Sequence, residues 1–119
     1  MRIGELARSA GVTTKAVRYY ESVGLLDADR LPNGYRDYDE YDVRLVREVR
    51  SLATLGIRVE QAKPFLECLV SGREKGDDCA APLAVYRSVI GELDERIADL
   101  SRRRDSVAVA LAEAEGRSA

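Results

Sequence analysis

The side chains with usable chemistry cluster between Thr13 and Tyr38, and their types point to phosphate and base edges rather than to bond-making chemistry. Over residues 13–22 the chain reads Thr-Thr-Lys-Ala-Val-Arg-Tyr-Tyr-Glu-Ser. At about 100° per residue on a helix, Thr14, Lys15, Arg18, Tyr19 and Ser22 share an arc of roughly 140°. Thr13, Ala16, Val17 and Tyr20 fall on the opposite side. Arg18 can fork onto a phosphate or onto guanine O6 and N7, and Lys15 supplies a flexible point charge. Thr13 and Thr14, with the N–H groups of a helix start, can hold a phosphate oxygen. Tyr19 can donate its hydroxyl while its ring packs along a sugar. Further on, Arg30, Arg36 and Tyr38 can grip a nucleic-acid backbone. Taken alone, the helix reads more readily as an ordinary amphipathic helix with a solvated face.

Nothing comparable points to catalysis. Histidine is absent and no nucleophile–base pair stands at recognisable spacing, so no catalytic residue and no enzyme is expected. Two cysteines, Cys68 and Cys79, leave three readings: inert thiols, a thiol or redox switch, or part of a metal site. In a reducing compartment thiols are commoner than a disulfide. Two sulfurs are too few for an iron–sulfur cluster, and with Asp77 or Asp78 they give only a partial zinc set. No cofactor and no metal is expected.

The elements that must position these residues are mostly helical. Ile3–Ser9 reads as a short helix, closed by Gly11, which can take the positive φ of a tight inter-helix turn. Thr13 caps a second helix to about Ser22, and Gly24 follows at its end. Asn33-Gly34 between short alternating segments is the strongest local hairpin signal, with Arg36 and Tyr38 alternating against Tyr35 and Asp37. Asp39 caps a third helix to Leu55, with Leu45, Val46, Val49, Leu52 and Ala53 as its apolar stripe. A fourth spans about Val59 to Val70, where Pro64 requires a kink or a late start. Residues 71–78 read as a linker.

Two helices joined by a glycine turn and followed by a ribbon describe a winged helix-turn-helix, in which the second helix enters the major groove. That order favours the DNA reading over the solvated-face one. From Cys79 to Glu113 one long helix is expected, capped by Asp78. Leu83, Tyr86, Ile90, Leu93, Ile97, Leu100, Arg104, Val107 and Leu111 alternate steps of three and four. Eight of the nine are apolar, a coiled-coil seam. Such a helix, about 33 residues and roughly 50 Å long, cannot bury its seam on so small a body, so a second copy is the expected partner.

Residues 1–70 resemble the MerR family of bacterial regulators. The matching stretches are Ile3-Gly4-Glu5-Leu6-Ala7, Gly11-Val12-Thr13, Val17-Arg18-Tyr19-Tyr20-Glu21, Gly24-Leu25-Leu26, Gly34-Tyr35-Arg36, Tyr38 and Leu55-Gly56. The resemblance implies DNA contacts at Arg18, Tyr19, Arg36 and Tyr38, and a core role for Tyr20. It also implies an antiparallel homodimer on double-stranded promoter DNA, which bends and untwists the duplex and thereby acts on RNA polymerase indirectly. Metal-sensing members carry a cysteine at the position of Cys79 and complete their site from a later loop. Here no cysteine follows Cys79, and no separate effector-binding domain is expected.

Fold class is thus mainly α: an N-terminal winged helix-turn-helix with a small β-ribbon wing, a helical connector and a long C-terminal coiled-coil dimerisation helix. The expected division is 1–70, linker 71–78, helix 79–113 and a flexible tail 114–119. Rival readings are an architectural, excisionase-like winged-helix protein, a thiol- or metal-responsive variant of the regulator, and a coiled-coil adaptor whose N-terminal module binds protein. A net charge of -2 counts mildly against DNA binding. Residues 1–36, however, hold six basic against four acidic side chains. The acid-bearing, apolar-poor start is unlike a signal peptide and no membrane span is legible, so a cytoplasmic protein is expected.

Overall fold

Apolar spacing and local caps account for each element of the first unit of the chain, Met1–Val85. The structure is a computed structural model; it describes residues 1–27, 29–30 and 32–118, without the side chains of residues 29 and 30. Helix α1 (Ile3–Ala10) buries Leu6, Ala7 and Ala10. Gly11 closes it at φ 74°, its N–H reaching the carbonyls of Ala7 and Arg8. That left-handed backbone is what requires glycine; a Cβ there would also meet the end of the exposed Arg50 side chain, which can swing aside. Helix α2 (Thr14–Ser22) starts where the Thr13 hydroxyl oxygen accepts from the Ala16 N–H at 3.1 Å, and it buries Val17 and Tyr20.

The ribbon is minimal. Strands β1 (Asp29–Arg30) and β2 (Arg36–Asp37) pair antiparallel, Asp29 opposite Asp37 and Arg30 opposite Arg36. Helix α3 (Glu40–Thr54) opens on a reciprocal box: Asp42 N–H donates to Asp39 Oδ1 and Asp39 N–H to Asp42 Oδ2, both at 3.0 Å. Its buried stripe is Val43, Leu45, Val46, Val49 and Leu52. Ala53, expected in that stripe, is exposed, because Val43 at the N-terminal end extends the face in its place. Pro64 resolves as a late start. A 3-10 turn (Val59–Gln61) precedes α4 (Lys63–Val70), which puts the proline in the first turn, where its missing N–H is harmless. Phe65, Leu66, Cys68 and Leu69 form the buried face of α4.

Residues 71–78 are tied down rather than loose. Arg44 Nη2 donates to the carbonyls of Arg73 at 3.1 Å and Glu74 at 2.6 Å. Gly76 lies so close to α3 and α4 that a Cβ would meet Glu48 Oε1 at 2.3 Å and the Phe65 carbonyl at 3.3 Å. Asp78 does not serve as the expected helix cap. Its Oδ2 accepts from the Lys75 N–H at 2.9 Å, closing a turn within the segment. The cysteines also depart from expectation. Cys68 and Cys79 are joined in a disulfide, Cα atoms 5.9 Å apart, and are not free thiols. The fold makes the pairing sterically possible by returning the chain on itself within 11 residues.

Helix α5 (Ala80–Ser118) passes from the first unit into the second, Tyr86–Ala119. It runs beyond the expected end at residue 113, through Gly116 to Ser118, so that residues 114–118, expected as a flexible tail, continue the helix. In the second unit Ile90, Leu93, Ile97, Leu100, Val107 and Leu111 are all exposed, while Tyr86 is half-buried. Among the described residues no helix is long and apolar enough to cross a membrane.

Candidate nucleic-acid interface

Burying Val17 and Tyr20 turns the opposite side of α2 outward. Lys15, Arg18 and Tyr19 are exposed and Thr14 is half-buried; Thr13, beyond the helix, is exposed with its oxygen engaged in the cap. The Tyr19 hydroxyl donates to Glu60 Oε1 at 2.8 Å, and that bond to a carboxylate raises the phenol above its ordinary pKa. The bond ties the 3-10 turn to α2.

On the other flank, Arg2, Ile3, Arg18, Gly34, Tyr35 and Arg36 enclose a cleft of about 210 Å³. Three of the six are arginines and none is acidic, so this cleft concentrates positive charge in a chain that is net negative. Arg2 stacks its guanidinium 3.9 Å from the centroid of the exposed Tyr35 ring. It reaches the ribbon because the backbone at Met1 pairs with Tyr38, whose N–H donates to the Met1 carbonyl at 2.8 Å. At the tip, Asn33 Oδ1 accepts from the Tyr35 N–H at 3.1 Å.

Glu21, at the end of α2, couples the helix to the ribbon. One carboxylate oxygen takes Arg36 Nε at 2.5 Å and the other accepts the Tyr38 hydroxyl. Tyr38 therefore does not stand on the outer face as the alternation suggested. It is only 2% exposed, because the ribbon ends at Asp37 and the chain turns inward. Burial first, and then the bond to Glu21, push its phenol far above the usual range. Tyr38 positions Arg36 through Glu21 and is not an exposed contact. Tyr38→Phe, which leaves that carboxylate short of a donor, is expected to lower stability by about 1–3 kcal/mol in urea unfolding. An unchanged midpoint would show the bond to be dispensable.

Of the DNA-contact residues expected from sequence, the structure brings Arg18 and Arg36 to one cleft, with Thr14, Lys15 and Tyr19 along the adjoining helix face. The Arg30 side chain lies outside the described residues. Arg2 and Tyr35 are additions that sequence reasoning missed. Arg2 precedes the first helix and Tyr35 carries no periodic signal, so only the non-local pairing of Met1 with Tyr38 reveals them.

Residues 1–68 match the family described as MerR HTH family regulatory protein. Heavy metal-dependent transcription regulator 2 of Rhizobium meliloti (strain 1021) is 39% identical over 99 residues, covering 82% of this chain and 65% of that protein. The chain thus spans just under two thirds of that relative's length. HTH-type transcriptional regulator HmrR of Rhizobium leguminosarum bv. viciae is 33% identical, over 87% of this chain and 78% of its own. Among solved structures, the transcription regulator PbrR691 from Ralstonia metallidurans CH34, in complex with lead(II), superposes with a TM-score of 0.70. It is 25% identical and covers 90% of this chain and 81% of that one. The chain belongs to the MerR family of helix-turn-helix regulatory proteins.

Proposed function

We propose that this protein is a homodimeric, sequence-specific DNA-binding transcription regulator that distorts promoter DNA and so acts on RNA polymerase indirectly, in the cytoplasm. The observation that carries the reading is the convergence of Arg2, Arg18 and Arg36 on one acid-free cleft between α2 and the ribbon. A phosphate seated there would be shared by the recognition helix and the wing, fixing α2 in the adjoining major groove. Lys15, Thr13, Thr14 and Tyr19 then face the groove and its rim, with Arg30 on the wing. The partner is double-stranded DNA, and the dimer forms through the α5 seam in antiparallel pairing. The division at 1–70, 71–78 and 79–113 assigns these two tasks to separate stretches.

Heavy-metal dependence and lead binding belong to the named relatives. The residues here do not fit such a site. The two sulfurs are bonded to each other, and among the described residues no group of three or more His, Cys, Asp or Glu is arranged to hold an ion.

Arg18→Ala tests the reading. Operator affinity, read by fluorescence anisotropy on the chain's own upstream DNA, is expected to fall by about 1–3 kcal/mol, with a shallower salt dependence. An adaptor that binds protein through this module predicts no change in its key affinity.

A further inference from the structure

We propose that Cys68 and Cys79 form a reversible thiol–disulfide site, oxidised by hydroperoxides and reduced by small thiols, whose state sets how firmly the start of α5 is held to α4. The two sulfurs are unequally placed. Cys68 is 3% exposed on the core face of α4, whereas Cys79 is half-buried in the residue before α5. Cys79 is therefore the sulfur that an oxidant reaches first, and Cys68 the one that resolves it.

The chemistry balances with those two sulfurs and one oxidant. The Cys79 thiolate attacks the terminal oxygen of a hydroperoxide, and the O–O bond breaks to leave a sulfenic acid and release an alcohol, or water from hydrogen peroxide. The Cys68 thiol then displaces the sulfenic oxygen as a second water, and the S–S bond forms. Reduction runs through a mixed disulfide: two molecules of a small thiol give up two electrons and leave as their own disulfide, and each cysteine regains a proton.

The surroundings accommodate both states. Cys68 Sγ lies 3.6 Å from the Lys75 carbonyl, an acceptor waiting for a thiol proton in the reduced form. In the disulfide form the segment between the cysteines is also held by polar ties, through Arg44 to the carbonyls of Arg73 and Glu74 and through Asp78 to the Lys75 N–H. What reduction removes is the side-chain cross-link that pins α4 to the residue leading into α5, leaving only the intervening backbone to join them. Any consequence for DNA rests on the regulator reading above, in which α5 joins the two DNA-binding units.

Three measurements on the full chain separate the possibilities. After incubation with a small thiol and denaturation in urea, iodoacetamide should add twice by intact mass, and after hydrogen peroxide and the same denaturation not at all. Trypsin should cut after the exposed Arg73 and Lys75 several-fold faster in the dithiol form. Operator affinity should differ at least about fivefold between the two forms, and Cys79→Ser should abolish that difference. Using Cys79→Ser avoids disturbing the buried sulfur, and a far-UV melt confirms that the variant folds. Absence of adducts in thiol, a full set after peroxide, or equal tryptic rates overturns the site. Equal affinity of both forms overturns its link to DNA and leaves the regulator reading standing. If neither form binds DNA, that link again falls, and the regulator reading with it, whereas the adduct and protease results still decide the site itself.

Discussion

Aspartate at both Ile97 and Leu100 is expected to leave a folded monomer whose operator affinity is lower by about 10²–10⁴-fold, the range lost when two linked binding modules act singly. Both side chains are more than half exposed in the protomer, at 62% and 55%, and they stand in a run with Ile90, Leu93, Val107 and Leu111, exposed and apolar too, that only Arg104 interrupts. An apolar stripe this long on one helix is unusual for a surface that stays in water. Pairing it with a second copy would remove it from solvent, and two carboxylates in the middle of that seam would have to be buried without partners. The protomer itself loses no core contact, so its far-UV spectrum should be unchanged. Ser101→Asp, exposed and off the seam, is the matched control. Sedimentation equilibrium reads the mass and anisotropy reads the affinity. A double variant that remains dimeric would place the interface elsewhere, and a monomer with undiminished affinity would end the two-site account of recognition.

The long helix and its exposed apolar stripe were legible because a period of three and four repeated over nine positions is a long-range pattern that leaves little freedom in the local structure. The same holds for α2: burying Val17 and Tyr20 dictates which side Lys15, Arg18 and Tyr19 occupy. The helix starts were legible where a side chain can cap locally, as at Thr13 and Asp39. Short-range reasoning failed where two local partners compete. Asp78 had either the helix start or the Lys75 N–H to accept from, and the turn took it. It failed again at the ribbon, since a strand of two residues is too short for alternation to fix a face, and Tyr38 answers instead to Met1 and Glu21.

Bulk charge misled for a related reason. A net charge of -2 averages over the whole chain, whereas the field felt by a phosphate depends on what lies within a Debye length of about 10 Å. Around the cleft those neighbours are Arg2, Arg18 and Arg36, assembled from three separate elements. The acids beside them are already engaged, Glu21 by Arg36 and Tyr38 and Asp37 by the Met1 ammonium. The disulfide belongs with these cases: two cysteines 11 residues apart in sequence carry no information on whether the intervening chain turns back, and α3, through Arg44 and the close approach of Glu48 to Gly76, supplies that turn.

Phe65→Ala is expected to cost the first unit about 3–5 kcal/mol, the range for removing a fully buried phenyl ring. Phe65 is the chain's single phenylalanine and is 0% exposed. It lies on the face of α4 that packs with α3, and its carbonyl is within reach of Gly76. The neighbouring residues are held by helix caps and by the Cys68–Cys79 link, so they cannot collapse fully into the space, and the cavity term adds to the lost transfer energy. A unit of this size has roughly 4–13 kcal/mol of stability at 0.05–0.15 kcal/mol per residue, so the variant stands near the edge of folding. Urea unfolding at fixed protomer concentration should show a lower midpoint with an unchanged slope. Val70→Ala, at a position 62% exposed on the same helix, should stay within about 0.5 kcal/mol of the parent. Saturating operator DNA should restore part of the loss, because ligand that binds only the folded state shifts the equilibrium back. DNA-contact residues are untouched, so affinity per folded molecule should match the parent. A loss below about 1 kcal/mol would mean that α4 is not part of the cooperative core, and the anchoring of the 3-10 turn beside Tyr19 would then need another source.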